Sequence, residues 1–220
     1  MIQASFKKNV IVPIAYTGNL SRKIKIGSKL DQGQLINTFP YKKDLDAEAQ
    51  TSNFNEILSP VVGEVVGIGS SQIIVDTNGF ELNLFDALGQ GPIMGEVFYS
   101  ISSKIFTKTF DIHSIANKLL VTDTLSFDQY AKLNAMGIQF VLVNHIKFEV
   151  FYSIQNMKLP IGIITGFGEC NINKNLYKIF ESASTQNNLG IFDSDYKRFI
   201  IPGLEKGAHN ASFSINLSST

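Results

Sequence analysis

IVPIAYTGNLSRKIKIGSKLDQGQLI, residues 11–36, is the stretch that decides the fold of the first half of this chain. Short apolar runs alternate in it with glycine-containing turns, a pattern typical of β-structure. Gly27 and Gly33 are expected at positive φ, which costs a glycine little and which tight turns require. Just before Gly27, Ile24 and Ile26 are expected to face the same side of a strand. The stretch therefore predicts a small all-β domain.

A second segment, SPVVGEVVGI at residues 59–68, repeats the same order of strand, glycine and strand. The two segments together predict a domain built from two similar halves. They resemble the two halves of the biotinyl/lipoyl carrier family, and the closer likeness is to the N-terminal barrel-sandwich domain of the flavin- and NADH-binding component of the Rnf electron-transport complexes. The resemblance covers roughly residues 10–75 and implies a barrel-sandwich hybrid fold.

The chain departs from these families at the positions that carry their chemistry. A carrier domain presents its modified lysine inside a D-K-A or M-K-M triplet, whereas Lys42 and Lys43 lie in PYKKDLD, before an acidic and polar segment at 44–55. We interpret them as loop lysines rather than as a swinging arm. The Rnf component also has clustered cysteines and a glycine-rich stretch that binds flavin and NADH, but this chain has one cysteine, Cys170, and no such stretch. No cofactor is therefore predicted.

Three further signals complete the expected β-domain, residues 1–110. Asn78-Gly79 lies between the alternating runs QIIVD and FELNL and predicts a hairpin turn. The glycine-rich segment 89–95 is followed by a predicted strand, so it lacks the helix N-terminus that a dinucleotide-binding loop requires and is interpreted as a turn. Residues 104–110 are predicted to be the last strand or the crossing into the next domain.

From about Asn117 the pattern changes to alternating strands and helices. Continuous apolar runs at 118–121, 138–143 and 161–165 are typical of buried parallel strands. The predicted helices carry local signals, which are a capping box from Ser126 to Gln129, a stop at Gly137, and apolar faces; these faces consist of residues 148, 151, 154 and 157 in one helix and 176, 177, 180 and 183 in another. One or two final strands are predicted from 189–192 and 199–201.

The predicted fold class is α+β overall, with an N-terminal all-β barrel-sandwich hybrid followed by an α/β domain with a mainly parallel sheet covered on both faces. The α/β domain is expected to span residues 111–202, and residues 203–220 form a polar tail. This layout resembles a family of uncharacterised prokaryotic proteins that pair a barrel-sandwich start with an α/β half ending in an Ile-Ile-Pro strand.

Right-handed crossovers would place the carboxyl ends of the parallel strands at one edge, where ligands of open α/β sheets bind. The residues expected there are Asp123, Thr124, Asn144, His145, Thr165, Gly166, Gly168 and Glu169. His145 is either a general base or metal ligand, or a helix-cap or hydrogen-bonded residue. Gly166 and Gly168 either cradle a phosphate or serve the turn alone. Asp123 and Glu169 either form an acid/base pair or are ordinary edge carboxylates; no catalytic residue is assigned.

Composition restricts the classes of partner. Lys and Arg total 19 and Asp and Glu total 19, so no net charge favours nucleic acid. No apolar run reaches the roughly 18 residues that a membrane helix needs. A single cysteine cannot form a clustered thiolate metal site, and no metal is predicted. A cytoplasmic protein is expected.

Three functions are compatible with these patterns. The first is a non-catalytic binding or scaffolding protein, which docks on another protein or a larger assembly through a carrier-like β-domain that lacks the carrier lysine motif. The second is a small-ligand- or nucleotide-binding enzyme or sensor that uses the α/β edge. The third, implied only by the Rnf resemblance, is an accessory of a redox complex.

Overall fold

The computed structural model describes residues 4–16, 20–21, 23–40, 54–105, 115–171 and 173–204. It is a mixed α+β protein that divides into two compact units, Lys8–Asn78 and Met1–Lys7 with Gly79–Thr220. Lys42, Lys43 and, beyond Leu204, the expected tail lie outside the described residues. None of the helices in the described ranges is both long and apolar enough to cross a membrane.

The unit Lys8–Asn78 is built from strands. Its strands are β1 (Ala4–Ala15), β2 (Lys29–Leu30), β3 (Leu35–Pro40), β4 (Phe54–Leu58), β5 (Gly63–Ile68) and β6 (Gln72–Asn83), of which β1 and β6 contribute only the part within the unit. The order β2-β5-β6 is antiparallel, β1 pairs with β6, and β3 and β4 form a separate antiparallel pair. The described part of this unit contains no helix. The barrel-sandwich closure that the resemblance implies stays a prediction.

The glycine turns of the opening stretch are confirmed, with φ of 85° at Gly27 and 80° at Gly33. The expectation that Ile24 and Ile26 share a face is wrong, because Ile24 is 4% exposed and Ile26 is 68% exposed. The N–H of Ser28 donates to the carbonyl of Lys25 at 2.9 Å, which closes a tight turn with Ile26 and Gly27 at its two central positions. The turn directs Ile26 outward.

The hairpin predicted at Asn78-Gly79 is also wrong, because β6 continues through both residues. Gly79 pairs with Pro202 across the sheet, and a Cβ on it would lie 2.7 Å from the carbonyl oxygen of Ile201. Glycine is therefore required here for the close approach of two strands rather than for a turn.

The unit of Gly79–Thr220 is a large mixed sheet with helices. Its further elements are β7 (Asp86–Leu88), β8 (Ile93–Tyr99), α1 (Ser102–Ile105), β9 (Leu119–Thr122), α2 (Phe127–Ala135), β10 (Phe140–Ile146), α3 (Phe148–Ile154), β11 (Ile161–Phe167), α4 (Lys174–Thr185), β12 (Leu189–Asp193) and β13 (Arg198–Pro202). The strand order is β6-β13-β12-β8-β9-β10-β11-β7.

The predicted parallel strands are confirmed, since β8, β9, β10 and β11 run parallel in one sheet. The description of the whole sheet as mainly parallel is wrong, because β7, β12, β13 and β6 join it by antiparallel pairing. These flanking strands pair with partners that are distant in sequence. Local apolar patterns do not report such pairings.

The domain boundary differs from the one expected near residue 110. β7 pairs with β11 and β8 pairs with β9, so both belong to the α/β sheet, and the division falls at Asn78–Gly79. The strand expected at 104–110 is replaced at Lys104 and Ile105 by the end of α1, and residues 106–110 lie outside the described ranges. As predicted, the glycine-rich segment leads into a strand, β8.

The sheet is covered on both faces, as predicted. Leu119, Val121, Leu142 and Ile164 pack with α4 on one face, and the alternate strand residues pack with α1, α2 and α3 on the other. The capping box of α2 is confirmed, and Gly137 follows the helix with a φ of 77°. The apolar face predicted around α3 is only partly buried, because Phe148 and Met157 are exposed.

Candidate functional site

The carboxyl ends of the parallel strands bring several of the predicted residues together. Val143 of β10 pairs with Thr122 of β9, so the residues that follow them, Asn144 and Asp123, stand side by side. The backbone N–H of His145 donates to the carbonyl of Asp123 at 3.1 Å. The predicted convergence at this edge is therefore present for β9 and β10.

Three polar side chains lie at the end of the face covered by α4. Val97, Val121 and Leu142 belong to the core on that face, and Tyr99 packs against it. Asp123 follows Val121 by two positions, which places it on the same side, and its charge acts on the phenols of Tyr99 and Tyr177. Asn144 lies where the register between β10 and β11 shifts, and its side chain reaches the carbonyl of Cys170, shortly before α4. These side chains form a polar rim beside the apolar core of the α4 face.

Asn144 is the most deeply buried polar residue of the rim, at 1% exposure. Its Nδ2 donates to the carbonyl of Cys170 at 2.9 Å and lies 3.2 Å from Nδ1 of His145. Nδ2 of Asn144 can donate a hydrogen bond to Nδ1 of His145 only when Nδ1 carries no proton. This contact therefore favours the tautomer of His145 that has its proton on Nε2. The other amide atom, Oδ1, is buried and accepts no hydrogen bond from the described residues.

The turn after β11 is held by hydrogen bonds to β10. Thr165 donates its hydroxyl to the carbonyl of Asn144 at 2.6 Å, and the N–H of Gly168 donates to the carbonyl of Ile146 at 3.0 Å. Gly166 and Gly168 have φ of 143° and 88°, which favours glycine at both positions. Because the N–H of Gly168 is already used, the turn offers one donor fewer to a phosphate than the sequence suggests.

Asp123 is fixed by neutral donors. Its Oδ1 accepts from the backbone N–H of Ser102 at 2.6 Å and from the hydroxyl of Thr122 at 3.1 Å. Burial by itself raises the pKa of this carboxyl, but the hydrogen bonds from Ser102, Thr124 and Thr122 outweigh it and lower the pKa below 3.8. Asp123 is therefore a carboxylate at neutral pH.

Two tyrosines that are not among the predicted site residues complete the rim. Tyr99 ends β8 and Tyr177 lies on α4, with ring centroids 5.6 Å apart. Burial, followed by the influence of Tyr177, Asp123 and Glu181, raises the pKa of Tyr99 to about 12. Burial and Asp123 also raise the pKa of Tyr177. Both phenols are neutral at physiological pH and can donate or accept hydrogen bonds.

The predicted site residues therefore divide into two groups. Asp123, Asn144, His145 and Thr165 are joined by the contacts described above, and Gly166 pairs with His145 across β10 and β11. Thr124 adds a backbone hydrogen bond to Asp123. Gly168 and Glu169 lie on the exposed part of the turn, and no hydrogen bond or ion pair joins Glu169 to Asp123. The signal that could have found Tyr99 is its position at the end of a strand adjacent to Asp123.

Among the residues that the structure describes, no group of three or more His, Cys, Asp and Glu side chains could hold a metal ion. Comparisons with protein-family models, with curated proteins and with solved structures find no match to this chain. The class that the fold and the rim define is a mixed α+β protein with a polar strand-end edge.

Proposed function

We propose that this protein binds a small polar ligand at the rim formed by Tyr99, Asp123, Asn144 and Tyr177, hereafter the ligand edge. The observation that carries the proposal is the buried Oδ1 of Asn144, which has no donor among the described residues. Leaving a buried acceptor unsatisfied costs about 1–3 kcal/mol, and native proteins rarely keep such groups without a reason. A ligand that donates a hydrogen bond to this oxygen would remove that cost.

The surroundings of Asn144 support the same proposal. The amide is held in one orientation by its bond to Cys170, so Oδ1 is already positioned before a ligand arrives. Asp123 and the tyrosine rings are only half-buried, so these three groups of the edge can be reached from solvent. Groups that are fixed by their neighbours lose little conformational entropy on binding, which favours affinity. The proposal concerns binding, and no reaction is assigned to the edge.

The test is a ligand screen followed by protein NMR on the full chain. Compounds from a fragment library should shift the side-chain NH₂ signal of Asn144 and the backbone amide of His145. The matched pair of variants is Asn144→Leu, which removes Oδ1, and Asn134→Leu on the exposed surface of α2. Hits should lose affinity in the first variant and keep it in the second. A library that shifts neither signal, or hits that bind both variants equally, would contradict the proposal.

A second candidate function is docking on another protein through the unit Lys8–Asn78. It is favoured by apolar side chains that this unit leaves exposed. Leu35 and Leu58 pair across β3 and β4 and are 40% and 47% exposed, and the turn at Ile26 adjoins β5 near the exposed Val66. Exposed apolar groups of this kind are typical of interaction surfaces when they are contiguous.

This candidate predicts a change in apparent size rather than a loss of fold. In gel filtration of native extracts, the parent chain should elute in an assembly, while Leu35→Ser with Leu58→Ser should elute as the free chain with an unchanged melting temperature. Phe127→Ser, an exposed apolar position on α2, is the matched control and should elute like the parent. Elution of the parent as a free chain would contradict the docking function.

A further inference from the structure

Asp123 differs in one respect from the other carboxylates that are at least half-buried in the described part of Gly79–Thr220. Those others are Glu81, Asp86 and Asp193, and each forms an ion pair with a lysine or an arginine. No ion pair among the described residues includes Asp123, whose hydrogen bonds come from backbone amides and hydroxyls. These donors hold the carboxylate but do not neutralise it.

In the described part of the chain, Asp123, whose charge is not compensated, is the neighbour of Asn144, whose Oδ1 accepts no hydrogen bond. Asp123 directly follows β9 beside Asn144 of β10, so a carboxylate and an unsatisfied amide oxygen occur at neighbouring positions of one acceptor-rich surface. The rings of Tyr99 and Tyr177 stand on the same side, and aromatic faces attract cations. The ion pairs formed by the described residues lie elsewhere and include no group of this surface.

We infer that the ligand carries a primary ammonium group, which donates to Oδ1 of Asn144 and to the carboxylate of Asp123. This inference rests on the proposed function of the ligand edge. A primary ammonium satisfies both features at once, because it brings a positive charge and three N–H donors. A quaternary ammonium has no donor for Asn144, and a neutral hydroxyl leaves the charge of Asp123 uncompensated. An anionic ligand is repelled by Asp123 and by the nearby Glu181.

Three compounds of the same length separate these alternatives. They are 4-aminobutan-1-ol, which is a cation at neutral pH, butane-1,4-diol, which is neutral, and 4-hydroxybutanoate, which is an anion. Each is titrated into the isotope-labelled full chain at low ionic strength, and the side-chain NH₂ signal of Asn144 and the amide of His145 are followed. The amine should bind at least about tenfold more tightly than the diol, and the anion should be the weakest.

Variants sharpen the measurement without being needed for it. Asp123→Asn keeps an oxygen for Ser102 and Thr122 but removes the charge, and it should weaken amine binding by about tenfold while changing diol binding little. Asp195→Asn, on the exposed turn between β12 and β13, removes the same charge elsewhere and should leave amine binding unchanged. The comparison of the three compounds uses the parent chain, so it remains valid if a variant does not fold.

The outcomes distinguish this inference from the proposed function. If the diol or the anion binds as tightly as the amine and shifts Asn144, the ligand edge is real but its ligand is not an ammonium compound. If none of the three shifts Asn144 or His145, the inference is overturned, and the fragment screen decides separately whether the edge binds anything. Equal weakening of amine binding by Asp123→Asn and Asp195→Asn would also overturn it, since the effect would then be one of net charge.

Discussion

In one part of the sheet of Gly79–Thr220, Arg198 lies between the carboxylates of Asp193, at 2.8 Å, and Glu81, at 3.3 Å. At the ligand edge of the same sheet, Asp123 has only neutral donors and the neighbouring Asn144 keeps an unpaired oxygen. Lys7 also forms an ion pair with Glu81. We call Lys7, Glu81, Asp193 and Arg198 the ion-pair cluster, because residues of the chain itself compensate both of its carboxylates.

The difference shows what each region contributes. Buried charges destabilise a fold unless a partner compensates them, and Arg198 and Lys7 compensate the carboxylates of Glu81 and Asp193. At the ligand edge the chain leaves an acceptor and a charge without such partners, at a cost in stability. Sites that bind ligands often carry this kind of cost, because the groups that serve binding are not optimised for folding.

The largest effect is expected at the ion-pair cluster. Arg198→Met leaves Glu81 and Asp193 buried without their shared cation, and it should lower the free energy of unfolding by about 3 kcal/mol or more at pH 7. Urea denaturation followed by circular dichroism measures the change.

Lys118→Met is the matched control, since the side chains of Lys118 and Glu96 are 27% and 46% exposed, more than those of the cluster, and their pair should contribute about 0–1 kcal/mol. If Arg198→Met lowered the free energy of unfolding no more than this control does, the ion pairs of the cluster would not stabilise the fold, and the contrast with the ligand edge would fail.

An intermediate effect is expected for Asp123→Asn, of about 1 kcal/mol at pH 7, because a charged acceptor is exchanged for a neutral one. The pKa of Asp123 is lowered in the folded protein, so its contribution to stability is present above pH 3.8, the ordinary pKa, and is lost as the pH falls through the lower pKa of the folded state. The parent and the variant should therefore converge in stability at low pH. Urea denaturation of both proteins between pH 2 and pH 7 tests this, and a difference that does not depend on pH would contradict it.

Much of the α/β half could be predicted because its signals are local. The capping box at Ser126 and Gln129 and the continuous apolar run of β10 are complete within a few residues, and both are confirmed. The antiparallel partners of the sheet could not be predicted in the same way. Gly79 shows the reason, because Asn-Gly suggested a turn while the glycine is required by Pro202, which is remote in sequence.

The same limit applies to the candidate site. Asp123, Asn144 and His145 follow from the rule that parallel strands end at one edge, so the sequence could name them. The sequence pattern assigns Tyr99 to the β-domain and Tyr177 to an apolar helix face. The unpaired oxygen of Asn144 depends on side-chain distances that no sequence pattern contains.

A smaller net effect is expected when the unpaired oxygen is removed. Asn144→Leu loses the hydrogen bond to Cys170 but also removes the buried Oδ1, and the two changes offset each other. The free energy of unfolding should change by no more than about 1 kcal/mol, although ligand binding is lost. Thermal and urea denaturation in the absence of ligand measure this. A loss of stability as large as that of Arg198→Met would mean that Asn144 stabilises the fold, as the residues of the ion-pair cluster do.

The smallest effect is expected for Glu169→Gln, which defines the outer limit of the ligand edge. Glu169 is exposed, so solvent screens its charge. In the described part of the chain, no hydrogen bond or ion pair connects Glu169 with Asp123. Stability should change by less than about 0.5 kcal/mol, and the titration of Asn144 with 4-aminobutan-1-ol should give nearly the parent affinity. A loss of affinity comparable to that of Asp123→Asn would instead place Glu169 beside the bound ligand. The turn after β11 would then have to close over the edge, and the acid/base pair that the sequence suggests would form only in the complex.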